Sequence, residues 1–231
     1  MQKVVRWISM LGFLVAASVA KAGPVIAYEN AAVAANQGSL SGSAELSLGL
    51  SFYVNQPITI SYLGAFDSGN ANNLNGLDGS SGVTVQIFQN STPTTGTPFS
   101  PSVKFTSASP VVSISGDAGD AFLPISPTTL PVGEYTVVAF NDNDYNCNSP
   151  SPNQYSTENR GGGAISFAGT GLYLATAAIE FPTTADAGPE NRYDAGTFVF
   201  SVVPDGGLTA FLLGGAFLGL GVFRRKYSNC R

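Results

Sequence analysis

Ser39-Leu40-Ser41-Gly42-Ser43-Ala44-Glu45-Leu46-Ser47-Leu48-Gly49-Leu50-Ser51-Phe52 alternates between two kinds of residue. Leu40, Gly42, Ala44, Leu46, Leu48, Leu50 and Phe52 fall on one side of the alternation, and the serines, Glu45 and Gly49 on the other. Successive side chains of an extended chain point to opposite faces. A period of two therefore predicts a half-buried strand, or two strands kinked at a glycine. Outward from this stretch the pattern recurs in Ile58, Ile60 and Tyr62, in Val83, Val85 and Ile87, at Lys104 to Phe105, in Val112 and Ile114, at Tyr135 to Phe140, at Gly171 to Ile179, and in Phe198, Phe200 and Val202. Turn-forming clusters separate these runs at Asp67 to Gly82, Thr92 to Pro101, Gly116 to Gly119 and Gly161 to Gly163. Many short strands with no amphipathic helix between them predict an all-β fold, an antiparallel sandwich of jelly-roll or Ig-like type.

Composition agrees. The 231 residues include 27 glycines, with 11 % aromatic and only 11 % charged residues, which suits turn-linked strands. Residues 23–203 are the size of one sandwich domain. They hold three bases, Lys104, Arg160 and Arg192, against fourteen acids, a formal charge of −11. Such a body repels phosphate backbones, so no nucleic-acid partner is expected, and cations are the better fit. Histidine is absent, which excludes Ser-His-Asp and Cys-His catalysis and every imidazole metal site. Cysteine occurs only at Cys147 and Cys230, so a disulfide framework is excluded.

Both ends carry membrane signals. Lys3 and Arg6, an apolar run from Trp7 to Ala20, and the small-x-small close Ala20-Lys21-Ala22 form a secretory signal peptide over residues 1–22, to be cut by signal peptidase before Gly23. Near the other end, Gly206 to Phe223 is an uncharged run of eighteen residues followed at once by Arg224-Arg225-Lys226. At ~1.5 Å per residue such a helix reaches ~27 Å, enough for a hydrocarbon core. The basic triplet sets the cytoplasmic side and leaves residues 228–231 inside. Cys147 and Cys230 would then lie on opposite faces of the membrane, out of reach of each other.

Ahead of that span stands Val203-Pro204-Asp205-Gly206-Gly207. The order of a short Pro-containing motif, a hydrophobic span and an Arg-rich end resembles the PEP-CTERM class of bacterial sorting tails, in its Val-Pro-Asp-Ser/Gly-Gly variant. The resemblance covers Val203 to Tyr227, with the sorting signal spanning 204–227. It implies recognition by an exosortase, a membrane-embedded cysteine transpeptidase that cuts near the motif and passes the protein onward. The expected path is export, a transient inner-membrane anchor with the body outside, then the cell surface or release. Asp205-Gly206-Gly207 replaces the commoner Glu-Pro, which leaves the enzyme subtype open.

The body, 23–203, also resembles a domain of unassigned activity that recurs in PEP-CTERM proteins. The shared pieces include Leu50 to Val54, Pro57 to Ile60, Leu63 to Asp67, Val85 to Phe88, Leu130 to Val137, Phe181 to Thr184, Asn191 to Tyr193 and Phe198 to Val203. Where that domain has a Gly-Asp-Gly-Leu stretch and a histidine, this chain is Asn-rich and has none.

Two loops concentrate the oxygen ligands that calcium takes: Asp67 to Asp78, and Asn141-Asp142-Asn143-Asp144. Asp142 and Asp144, then Asp67 and Asp78, are the candidate metal ligands. No other cofactor is expected. Paired carboxylates for glycoside hydrolysis would have to come from Glu134, Glu158, Glu180 or Glu190, and Cys147 has no histidine to activate it. The chain is expected not to be an enzyme. The leading function is structural or adhesive, in the secreted exopolysaccharide of a biofilm, a setting implied by the tail resemblance. A carbohydrate- or calcium-binding module is the alternative, and a surface hydrolase ranks third.

Overall fold

The structure is a computed structural model that describes residues 23–30, 45–67, 82–106, 108–112, 114, 119–141, 146–147 and 156–204. The signal peptide (1–22) and the hydrophobic span with its basic end (205–231) lie outside the described residues. So do Asp78, Asp142 and Asp144.

In chain order the strands are β1 (Val25–Ile26), β2 (Tyr28–Asn30), β3 (Leu46–Val54), β4 (Ile58–Phe66), β5 (Val83–Thr92), β6 (Thr95–Pro98), β7 (Val103–Phe105) and β8 (Asp120–Leu130). They continue with β9 (Gly133–Phe140), β10 (Asn146–Cys147), β11 (Ser156–Glu158), β12 (Ile165–Ala175), β13 (Thr184–Ala185), β14 (Tyr193–Asp194) and β15 (Gly196–Val202). The only helical element among the described residues is the three-residue 3-10 turn Gly161–Gly163.

Every strand pairing among the described residues is antiparallel. One sheet runs β1-β15-β4-β8, and the larger runs β13-β12-β3-β9-β5-β6, with β7 also on β5. Two short pairs, β2-β11 and β10-β14, complete the set. The two sheets share one core: Ile58, Ile60, Leu63, Phe198 and Phe200 from the first meet Leu48, Leu50, Phe52, Val85, Ile87, Tyr135 and Val137 from the second. The Phe52 and Phe198 rings lie 4.7 Å apart across the interface. With β1-β15-β4-β8 facing β3-β9-β5-β6, the strand order is that of a jelly roll, to which β12 and β13 are added outside β3.

The even-numbered face of β3 behaves as its alternation predicts: Leu48, Leu50 and Phe52 are buried in the core. Its odd-numbered face does not. Ser47 and Ser51 are buried, and a side-chain atom added at Gly49 would stand 2.8 Å from both Pro182 and Thr136. A strap after β12 covers this face. Its Glu180 N–H donates to the Ser47 hydroxyl at 3.2 Å, Pro182 seats on Gly49, and Phe181 joins Phe88, Val138, Leu172 and Ile179 in a second small apolar cluster. Serine serves here because its hydroxyl finds a partner under cover, as in the 2.9 Å contact between Ser51 and Thr136.

Other boundaries shift for local reasons. Thr92 to Pro101, read as a turn, holds β6 in a hairpin closed at Pro93-Thr94. The run Gly171 to Ile179 is displaced: β12 starts at Ile165, bulges around Gly169 at φ +77°, and ends at Ala175. Strand β8 has no counterpart in the sequence reading because Pro124 and Pro127 interrupt it. As the outer strand of its sheet it tolerates them, with a register shift where Tyr62 faces Pro124. Val112 forms only a single bridge to Phe122.

Candidate functional site

The final strand leads straight into the Pro-containing motif. β15 lies between β1 and β4, and Val202 pairs with Ile58. One residue later the Val203 N–H donates to the Pro57 carbonyl at 2.9 Å, and Pro204 emerges exposed. Proline has no N–H to continue the ladder, so backbone pairing stops at this residue for a chemical reason. Asp205, Gly206, Gly207, Arg224, Arg225 and Lys226 lie outside the described residues, as do Ala20 and Ala22 of the expected signal-peptidase site.

Antiparallel pairing also fixes the start of the body. Val25 faces Phe200 and Ile26 faces Val199, so Gly23 and Pro24 reach the same end of the sandwich as Val203 and Pro204. The connections at that end are short: Asn55-Gln56-Pro57 from β3 to β4, Pro93-Thr94 from β5 to β6, Pro131-Val132 from β8 to β9, and the turn Gly161–Gly163 before β12. The turns are held closely. The Asn55 N–H donates to the Ala164 carbonyl at 2.8 Å, and the Tyr135 hydroxyl donates to the Pro131 carbonyl at 3.0 Å.

All the long connections leave from the opposite end, after Asn30, Asp67, Phe105 and Phe140. Two of them are the Asn/Asp-rich loops. Their bases are adjacent: β5 pairs with β9 at Thr84 and Phe140, and the Asn141 side-chain amide donates to the Gly82 carbonyl at 3.4 Å. Asn141 has φ +62°, a left-handed conformation that Asn accepts more readily than most residues. Asp67 itself is buried at the loop base, where its N–H donates to the Gly119 carbonyl at 2.7 Å. Beside it Asn30 donates from one amide nitrogen to both oxygens of buried Asp120, at 3.0 and 3.2 Å. Among the described residues no group of three Asp, Glu or Cys side chains stands close enough to hold a metal ion.

Of the four candidate glutamates, Glu134 and Glu180 lie on different elements, while Glu158 and Glu190 both adjoin Asn191. Glu134 opens β9 at the short-turn end and accepts from Asn90 at 3.1 Å. Glu180 lies on the strap over Ser47. Glu158 accepts from Arg160 at 2.8 Å and from Asn191 at 2.6 Å, and Glu190 packs on Gly169. The hydrogen bond and charge of Glu158 raise the pKa of exposed Arg160 further above its ordinary value. Cys147 belongs to β10, with its backbone paired to Tyr193.

A cluster that sequence reasoning missed sits beside β12. Tyr173 is partly exposed and meets Tyr193 edge-on at 6.2 Å, and the Arg192 guanidinium stands 5.7 Å from the Tyr193 ring centre. Arg192 also spans both oxygens of Asp186, each at 3.1 Å. Burial alone would raise the pKa of Asp186. Hydrogen bonds from Tyr193 and the Gly188 N–H, with the Arg192 charge, overcome it and hold the carboxyl below its ordinary value. No spacing rule signals this group, because a turn folds Asp186 and Arg192 back onto β12.

Comparison with known families matches residues 202–227 to the VPDSG-CTERM motif. The chain thus carries a PEP-CTERM-type sorting signal, which points to an exported, exosortase-processed surface protein. No curated protein and no solved structure matches the chain. Among the described residues no helix is long and apolar enough to cross a membrane, and the apolar span read from the sequence lies outside them.

Proposed function

We propose that the protein is a non-enzymatic surface component, structural or adhesive in secreted polysaccharide, whose sandwich is the delivered cargo and whose tail is only its address. One observation carries this reading: the sorting motif begins where the last inner strand ends, so removal of the tail takes no strand from the sandwich. Absence of histidine and the scatter of Glu134, Glu158 and Glu180 support a role without catalysis.

The test is fractionation of the producing cells with mass spectrometry of both mature termini. Wild-type protein is expected outside the inner membrane, beginning at Gly23 and lacking Arg231. Replacing Pro204-Asp205 by Ala-Ala should leave insertion intact, because the hydrophobic run and basic triplet remain, and should trap uncut protein in the inner membrane. Equal surface delivery of variant and wild type would reduce the tail to a plain anchor.

A second reading, a carbohydrate- or calcium-binding module, is favoured by two particular features. Tyr173 is partly exposed beside Tyr193 and the Arg192–Asp186 pair, and the bases of the two Asn/Asp-rich loops adjoin at Asn141 and Gly82. Calcium would draw its ligands there from Asp67, Asp78, Asp142 and Asp144, oxygen donors of the hard type it takes. Titration calorimetry of the exported body with calcium, and with the polysaccharide of the same cells, separates this reading from the first.

A further inference from the structure

We infer that the short-turn end of the sandwich is a docking face for the sorting enzyme, and that contact with it confines cleavage to the bonds between Pro204 and Leu208. The inference rests on the sorting reading above and adds where the cut falls and what the body does during it.

The first argument is distance. Val203 is tied to Pro57 inside the sheet, and the apolar run read from the sequence is under way at Leu208. Four residues, Pro204 to Gly207, span the gap, and at ~3.5 Å each an extended chain covers only ~14 Å. An enzyme that grips a few residues on each side of the bond it cuts has no free chain upstream of Pro204 to grip. Cutting before Val203 would require stripping β15 from both β1 and β4, where Phe198 and Phe200 are fully buried. The enzyme must therefore meet Asn55-Gln56-Pro57, Pro131-Val132 and Gly161–Gly163 at the moment of cleavage.

The second argument is charge. The body carries −11, yet this end is nearly free of acids. Glu134 is the acid of the body at this end, Glu158 beside it is paired with Arg160, and Asp205 follows Pro204 in the tail, while Glu45, Asp67 and Asp120 mark the opposite end, from which the chain also departs towards Asp78, Asp117, Asp142 and Asp144. Asn55, Gln56, Pro57, Pro131 and Val132 are exposed and uncharged, with Val132 63 % accessible. An acid-poor face can approach the anionic surface of a membrane and an enzyme embedded in it without the repulsion that the other end would meet.

The experiment follows conversion of full-length precursor to mature protein by pulse-chase in the producing cells, with mass spectrometry of the mature carboxyl terminus. Val132→Glu and Gln56→Glu, two exposed positions on the proposed face, should each slow conversion by about fivefold, the effect of one charge near a membrane surface. Val112→Glu, exposed on the flank towards the opposite end, should convert at the wild-type rate. The mature chain should end within residues 204–207. Conversion of both face variants as fast as Val112→Glu, or a terminus at Val203 or earlier, overturns the docking face while leaving the sorting reading standing. A mature chain that still ends at Arg231 removes both.

Discussion

The two ends of this sandwich are built on opposite plans. At one end the strands are joined by turns of two or three residues, held by backbone bonds such as Asn55 to Ala164, and Gly23 and Pro204 both lie there. From the other the chain leaves on its long excursions, and Glu45, Asp78, Asp117, Asp142 and Asp144 travel with them. Strands of seven to nine residues at ~3.3 Å per residue hold these ends ~25 Å apart. Tight turns fix a terminus in space, whereas long loops carry side chains whose identity the core does not dictate. The contrast teaches that the chain's two exits and its long connections are divided between the ends, with the core as the spacer between them.

The largest expected effect breaks that spacer. Phe198→Ala on β15 would open a cavity against Phe52 and Phe200 and cost about 3–5 kcal/mol, measured by guanidinium unfolding of the exported body. Because β15 leads into the sorting motif, the same variant should also be degraded before delivery, and a wild-type surface level would contradict the view that the enzyme receives a folded body.

A paired insertion sharpens the comparison between ends. Six Gly/Ser residues placed between Pro131 and Val132 lengthen a very short connection several-fold and disturb the bond from Tyr135 to Pro131, for a cost of about 1–2 kcal/mol. The same insert within residues 68–81 should cost under about 0.6 kcal/mol, since closure entropy grows slowly in a loop already long. Equal losses at both sites would show that the plans of the two ends do not differ energetically.

The smallest effect is a pH dependence. Asp186 has a lowered folded pKa, so its contribution is fully present above the ordinary value of 3.8 and is lost as pH falls through the lowered one. Asp186→Asn should therefore lower stability at neutral pH, lose that difference below about pH 4, and so flatten the acid limb of the stability curve. Thermal melts at a series of pH values would show whether the two curves converge in acid.

Legibility in the sequence followed the physics of each element. Inner strands without proline, such as β4, β5 and β15, announce themselves by alternation, and the all-β antiparallel architecture follows from them. β8 does not, because Pro124 and Pro127 hide an outer strand, and the solvent face assigned to β3 was wrong because a strap more than a hundred residues later covers it. The sorting signal was readable in full, since a membrane and a peptidase read it as linear sequence. The Tyr173–Tyr193–Arg192–Asp186 cluster was not, since it exists only after the chain turns back on β12.

The prolines of β8 have one more effect, on neighbouring molecules. A jelly roll of open sheets leaves lateral rims whose unpaired amides could recruit a strand from another copy and begin a polymer. Here one rim is β8, broken at Pro124 and Pro127, and across the same sheet the other is β1, only two residues long. The cut that frees the tail exposes no new rim, because β15 keeps both its neighbours. On this sheet neither rim offers another copy a long unbroken strand, so any strand-to-strand polymer would have to start from the larger sheet, whose outer strands are β13 on one side and β6 and β7 on the other.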